Sequence, residues 1–189
     1  MTERNASPRL VPLIVERWSP RAFDESAMPQ ADLDVIIEAA TWAPSAYNHQ
    51  PWRFLYAHRA DAAFGEFLSA LVPFNQSWAK DASVLLFVVS EEKLGDRDNH
   101  SHSFDAGAAW ANLALQAHAL GYRSHGMTGV DWDRAREVLG VPAGYRIEAA
   151  VALGTQGSPD KLPDMLRERE TPSGRKAVSE IAAAGRFAW

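Results

Sequence analysis

A chain of 189 residues carrying a formal charge of -5, from 19 basic and 24 acidic side chains, fits one domain or one half of an intertwined dimer. No basic block exceeds two residues, which argues against nucleic acid as a partner. With no cysteine, disulfides, thiolate nucleophiles and cysteine-held metal clusters are excluded, so redox chemistry needs a bound cofactor.

Met1 to Val15 is broken up by Pro8, Arg9 and Pro12 and lacks the apolar core of a leader, and no stretch approaches the ~20 apolar residues of a membrane span. The expectation is a cytoplasmic protein with no membrane partner. A short helix is predicted over Pro12 to Arg17. Leu33, Ile36, Ile37 and Ala40 recur with helical spacing and predict an amphipathic helix over about Ala31 to Thr41. Trp52 to Tyr56 alternates as a half-buried strand, and Phe64, Phe67, Leu68 and Leu71 mark a third helix. Ser83 to Val89 is apolar on both faces and reads as a central strand covered on both sides.

From Ser103 to Leu120 the chain is Ala-rich and apolar nearly all round, which predicts a helix buried in the middle of the molecule and closed by Gly121. Asp131 caps a helix running through Leu139, and Arg146 to Leu153 is another inner strand. Beyond Gly154 the prolines 159, 163 and 172 and the glycines 157 and 174 punctuate a charged segment poor in apolar residues until Val178 and Ile181. Such a tail is either disordered or laid across a partner subunit.

Between the second helix and the first strand, Pro44 and Pro51 restrict a loop that presents the hydroxyl of Ser45 and the amides of Asn48 and Gln50. These neutral donors and acceptors suit a polar, uncharged ring system. Here the chain resembles the nitroreductase family of flavin enzymes, whose motif P-S-x-x-N-x-Q-P-W-x-F is matched at Pro44, Ser45, Asn48, Gln50, Pro51, Trp52 and Phe54. Arg17 to Phe23 resembles the family's R-x-S-x-R-x-F segment, and Asn75 stands ahead of its central strand as a family Asn does. The resemblance spans most of the chain in order. It implies an α+β fold, a three-layer α/β/α sandwich of nitroreductase-like type with a central, mostly antiparallel sheet flanked by helices. Residues 1–189 would form a single domain, with 155–189 an extended C-terminal arm swapped onto the partner of an obligate homodimer whose flavin sites lie at the interface.

The phosphate of flavin mononucleotide (FMN) is a dianion that needs guanidinium forks, hydroxyls and backbone amides. Arg17 and Ser19, two apart before Pro20, supply a fork and a hydroxyl to one point; a surface pairing of Arg17 with Glu16 or Asp24 is the plain alternative. By resemblance Arg17 and Ser19 bind the phosphate, joined by Arg175 and Lys176 from the tail, with Trp18, Pro44 and Gln50 lining the cofactor. Arg21 occupies the family's Lys or Arg position, where a cation stabilises the negative charge that hydride leaves near N1 and O2. Asn75 would bond the same edge, while Ser45 and Asn48 would reach the flavin from the other subunit. Gly126-Met127-Thr128-Gly129 is the counterpart of the short loop whose N–H groups meet N5 and O4, so Met127, Thr128 and Gly129 join the site. Thr128 replaces a frequent Glu, and Trp78 replaces a Lys that some relatives carry.

The resemblance thus implies a ping-pong hydride transfer from NADH or NADPH, through FMN, to a small electron-poor acceptor such as a nitro compound or quinone. The alternative is a flavin-binding sensor or carrier with little turnover, should Trp78 and Thr128 close the slot. Asp96 to His102 holds an H-x-H pair beside two carboxylates, a metal-ligand spacing, but in a polar loop with no strand leading in; a solvent-facing turn and no metal are expected. No G-x-G-x-x-G, P-loop or G-x-S-x-G is present. Trp42, Trp52, Trp78, Trp110 and Trp132 read as core or interface packing.

Overall fold

In the computed structural model, which describes residues 6–187 and 189, the first half of the chain forms α1 (Pro12–Glu16), α2 (Gln30–Thr41), β1 (Trp52–His58), α3 (Phe64–Ser69), α4 (Pro73–Ala79) and β2 (Val84–Glu91). The second half adds a small hairpin of β3 (Lys93–Leu94) and β4 (Arg97–Asp98), then α5 (His102–Ala119), β5 (Arg123–Met127), α6 (Trp132–Leu139), β6 (Tyr145–Gly154), α7 (Asp164–Arg167) and α8 (Val178–Ile181). Residues 1–5 and 188 of the expected 1–189 domain lie outside the described residues.

The central sheet has the order β1-β2-β6-β5, every pairing antiparallel. Its logic is the twofold alternation of side chains along a strand. Val84, Leu86 and Val88 of β2 pack with Leu33 and Ile36 of α2 and Leu113 of α5, while Leu85, Phe87 and Val89 pack on the other face with Phe64, Phe67 and Trp78. Two cores on opposite faces of one sheet make the three-layer α/β/α arrangement, as the resemblance implied.

α5 is rich in alanine because it lies against the sheet and α2: Ala106, Ala109, Ala117 and Leu113 are buried, and a larger residue would hold the layers apart. Its other face is not buried in this chain. Phe104 is 81% exposed and Ala111 is exposed as well, so the expectation of a helix enclosed all round is corrected to one enclosed on one side. Gly121, at φ 89°, closes the helix as expected.

Three further differences concern short elements. The third helix ends at Ser69, and Leu71 instead bridges Val130; a separate helix, α4, begins at Pro73 and carries Asn75. The polar stretch Asp96 to His102 does follow a strand, β3 (Lys93–Leu94), and itself contains β4. Gly126 and Met127 belong to β5 rather than to a loop, held there by pairing with Val151 and Ala150.

The tail does not leave the domain at residue 155. Asp24 N–H donates to the Thr155 carbonyl (3.1 Å), Gly157 N–H to that of Ala22 (2.9 Å), and Leu162 and Leu166 are buried in the core beneath β6. Residues 155 to 170 are therefore part of this chain's own fold. From residue 173 onward every described residue is exposed. Leu113 is wholly enclosed between α5, α2 and β2, so Leu113→Ala should destabilise the protein by about 2–5 kcal/mol without changing its fold, as read by urea unfolding with circular dichroism.

Candidate active site

The chain leaves α1 at Arg17 in an extended conformation and is pinned by the burial of Ala22 and Phe23, each 1% exposed. This brings Arg17, Ser19 and Arg21 to one wall of a cavity of about 280 Å³. Arg169, Ser173 and Arg175 line it too, delivered by the segment that follows α7. Arg17 Nη1 donates to Ser19 Oγ (3.2 Å), so fork and hydroxyl do converge. Four guanidinium groups thus share one small space, an arrangement built for an anion.

A second cavity of about 640 Å³ adjoins the first and shares Arg17, Ser19 and Arg175 with it. Its remaining wall is largely apolar, with Trp110, Ala114 and Leu115 from α5 and Met127 from β5, and with Thr128 at its edge. Both its size and its lining are those of a small-molecule site. Gly126 permits it: a Cβ there would lie 3.1 Å from Cζ2 of Trp110. Gly129 is tighter still, since a Cβ would lie 2.4 Å from Nδ2 of Asn75, which donates to the Gly129 carbonyl (3.1 Å). Asn75 and the Thr128–Gly129 turn are one hydrogen-bonded unit.

The model of the Nitroreductase family matches residues 14–155, which contain the Arg17 to Phe23 segment, the Pro44 to Phe54 loop, Asn75 and the β5 turn. The chain belongs to the nitroreductase family. A solved structure described as an oxidoreductase containing FMN matches with a TM-score of 0.95 and 49% identity, covering 100% of this chain and 99% of its own. An NADH dehydrogenase of Thermus thermophilus is 31% identical over 175 residues, 74% of this chain and 83% of its own length. A 15.4 kDa protein of Mycolicibacterium smegmatis is 36% identical over 143 residues, 71% of this chain and 97% of its own.

In this member of the nitroreductase family the expected site residues fall into two groups. Arg17, Trp18, Ser19, Arg21 and Arg175 line the small cavity, and Met127 and Thr128 the slot, with Asn75 and Gly129 beside it. Pro44, Ser45, Asn48 and Gln50 lie elsewhere and line neither cavity, and exposed Lys176 also stands outside both. The loop is nevertheless a defined object. Tyr47, Asn48 and Gln50 all have φ between 51° and 53°, a left-handed conformation costly for such residues. It is held by Ser45 Oγ accepting from Gln50 N–H (3.1 Å) and by the buried Asp105 accepting from Ala46 N–H (3.1 Å).

Sequence reasoning missed Arg169, Ser173 and His125 in the small cavity, Trp110 in the slot, and Glu170 behind Arg21; Arg169 and Glu170 sit inside an alternating charged run. Nδ1 of His125 donates to the Pro20 carbonyl (2.9 Å), since a carbonyl only accepts, and its ring lies 4.7 Å from that of Trp78. Trp78 is buried against Phe23 and His125 and lines neither cavity. Of the other tryptophans, Trp52 is buried and Trp110 lines the slot, while Trp42 and Trp132 are exposed on this chain, 79% and 44%. The H-x-H pair is divided: His102 bonds Ser90 Oγ (2.7 Å), and His100 is exposed. Among the described residues no three His, Cys, Asp or Glu side chains gather as metal ligands.

Burial pushes the His125 imidazole down to about 4 from 6.5, opposed by the Pro20 carbonyl and reinforced by Arg21 and Arg17. The unfolded chain therefore binds a proton here before the folded one does, so the contribution is complete above pH 6.5 and is lost as pH falls toward 4. His125→Gln should flatten the pH dependence of stability across that window, as measured by thermal melts from pH 7 to pH 4.

Proposed function

We propose that this nitroreductase-family protein is an FMN-dependent oxidoreductase using NADH or NADPH, and that it works as a homodimer. The observation that carries the reading is the junction of a four-guanidinium cavity with an apolar slot, one end suited to a phosphate dianion and the other to a flat polycyclic ring. The donor set fits FMN without a metal. Arg17, Ser19 and Arg175 would hold the phosphate, with Arg169 and Ser173 added from the same cavity. Trp110 and Met127 would enclose the ring system. Arg21 and Asn75 would serve its N1–O2 edge, and the backbone at Thr128 and Gly129 the N5–O4 edge.

When bound, FMN supplies reversible hydride chemistry between the nicotinamide donor and an acceptor such as a nitro compound or quinone. The protein's part is binding, orientation and field, with no side chain needed as acid or base for the hydride itself. Trp78, whose bulk raised the alternative of a sensor or carrier, lies outside the slot.

The homodimer reading is supported by apolar surface that a single chain leaves open, including Trp42, Tyr47 and Phe104 at 79%, 87% and 81% exposure. In the dimer the loop of Pro44, Ser45, Asn48 and Gln50 would complete the partner's slot. The arm from about residue 171 would lie across the partner. The open groove of about 630 Å³ between α2 and the outer edge of β1 is a fitting seat for it, lined by Ile37, Trp52, Phe54 and Tyr56.

Purified protein should take up FMN, and anaerobic stopped-flow mixing with NADH or NADPH should bleach the flavin absorbance; a flavin that stays coloured with both donors overturns the oxidoreductase reading. Arg17→Ala should weaken FMN binding about tenfold to a hundredfold in a fluorescence titration, from roughly 1.5–3 kcal/mol for a charge-assisted bond. An unchanged affinity would remove Arg17 from the phosphate site.

A further inference from the structure

Glu170 is a buried carboxylate that meets Arg21, one of the arginines of the small cavity. Its side chain is 0% exposed, yet it comes from the turn after α7, in a run that alternates Arg and Glu. Oε1 accepts the backbone N–H groups of Arg21 (2.6 Å) and Ala22 (2.8 Å), and Oε2 lies 3.9 Å from Nη1 of Arg21. Oε2 makes no hydrogen bond among the described residues. Holding two N–H groups requires only an oxygen with lone pairs, which a neutral amide supplies equally well. What a carboxylate adds is a negative charge beside one of four guanidiniums, itself out of solvent while the Arg21 side chain is 24% exposed, so that screening is partial.

We propose that Glu170 is a positioning residue that sets the electrostatic field of Arg21 at the flavin. It fixes the backbone from which Arg21 enters the cavity, and its charge offsets part of the guanidinium's. The net field at the N1–O2 edge is therefore weaker than four arginines alone would impose, and so are the stabilisation of added electrons and the affinity for anions at the ring. The inference rests on the reading that Arg21 faces that edge.

Glu170→Gln keeps an acceptor for both N–H groups and removes the charge. In the FMN-loaded protein, sulfite affinity read from loss of flavin absorbance should rise about tenfold, and the midpoint potential should rise by about 30 mV, the equivalent of a tenfold change for a two-electron couple. Should that variant fail to fold, Arg21→Gln tests the same charge from the other side. It leaves Glu170 without its counter-cation, and sulfite affinity should fall more than tenfold. A folded, FMN-bound Glu170→Gln protein with unchanged sulfite affinity and potential would make Glu170 a purely structural clasp and overturn the proposal. Unchanged values in Arg21→Gln would overturn the placement of Arg21 and the proposal with it, while failure of the unaltered protein to take up FMN would overturn the reading of function itself.

Discussion

Four guanidinium groups facing one cavity of about 280 Å³ repel one another, and the fold has to hold them there before any ligand arrives. They come from segments some 150 residues apart, Arg17 and Arg21 before α2 and Arg169 and Arg175 after α7. Backbone pairing brings the two together. Phe23 bridges Gln156, Asp24 and Gly157 exchange hydrogen bonds with Thr155 and Ala22, and Glu170 closes the seam at Arg21. Gly157 is required there, because a Cβ would lie 2.6 Å from the Phe23 carbonyl. The N-terminal segment and the exit from β6 are stitched edge to edge, and the cavity is the opening left at the end of the seam.

The slot next to it follows from the sheet. β5 is an edge strand that pairs only with β6 in the described sheet, so its Gly126 leaves room for Trp110 of α5 to lie close against the strand. The turn after β5 then carries Thr128 and Gly129 to α4, where Asn75 fastens it. A polar end and an apolar end of one site are thus built by two different devices, a backbone seam and a helix packed against a sheet edge.

Features decided by local chemistry were legible in the sequence. The period of α2, the two-faced apolar run of β2 and the cap at Asp131, whose carboxylate accepts from Arg134 N–H (3.1 Å), depend on neighbours a few residues away. The convergence of Arg17, Ser19 and Arg175 on one cavity was legible through the family resemblance. What escaped depends on distant partners. In Arg167-Glu168-Arg169-Glu170 nothing distinguishes the fourth residue, which is buried, from its exposed neighbours, because only packing beneath the Arg21 backbone makes the difference. At Gly126 and Met127 the sequence carries no strand signal, because Ser124 and His125 hide the strand character of β5 and its pairing with β6 reaches more than twenty residues ahead. α4 escapes a reading of periodicity although Pro73 at its first turn is a helix-start signal, because Leu71 keeps the spacing of the helix before it.

The loop from Pro44 to Gln50 is the part of the chain that bears most on the proposed homodimer. Three of its residues hold a left-handed backbone that side chains disfavour, and Tyr47 between them is 87% exposed. Strain of this kind persists only where surrounding bonds over-determine it, and here the buried Asp105, Ser45 Oγ and the Gln50 amide do so. Yet the groups so carefully aimed meet no cavity of their own chain's guanidinium site. In the proposed dimer the same rigidity becomes useful: a loop that is already ordered loses little conformational freedom when it docks over a partner's slot, so its neutral amides and hydroxyl can serve a flavin ring without first having to be arranged.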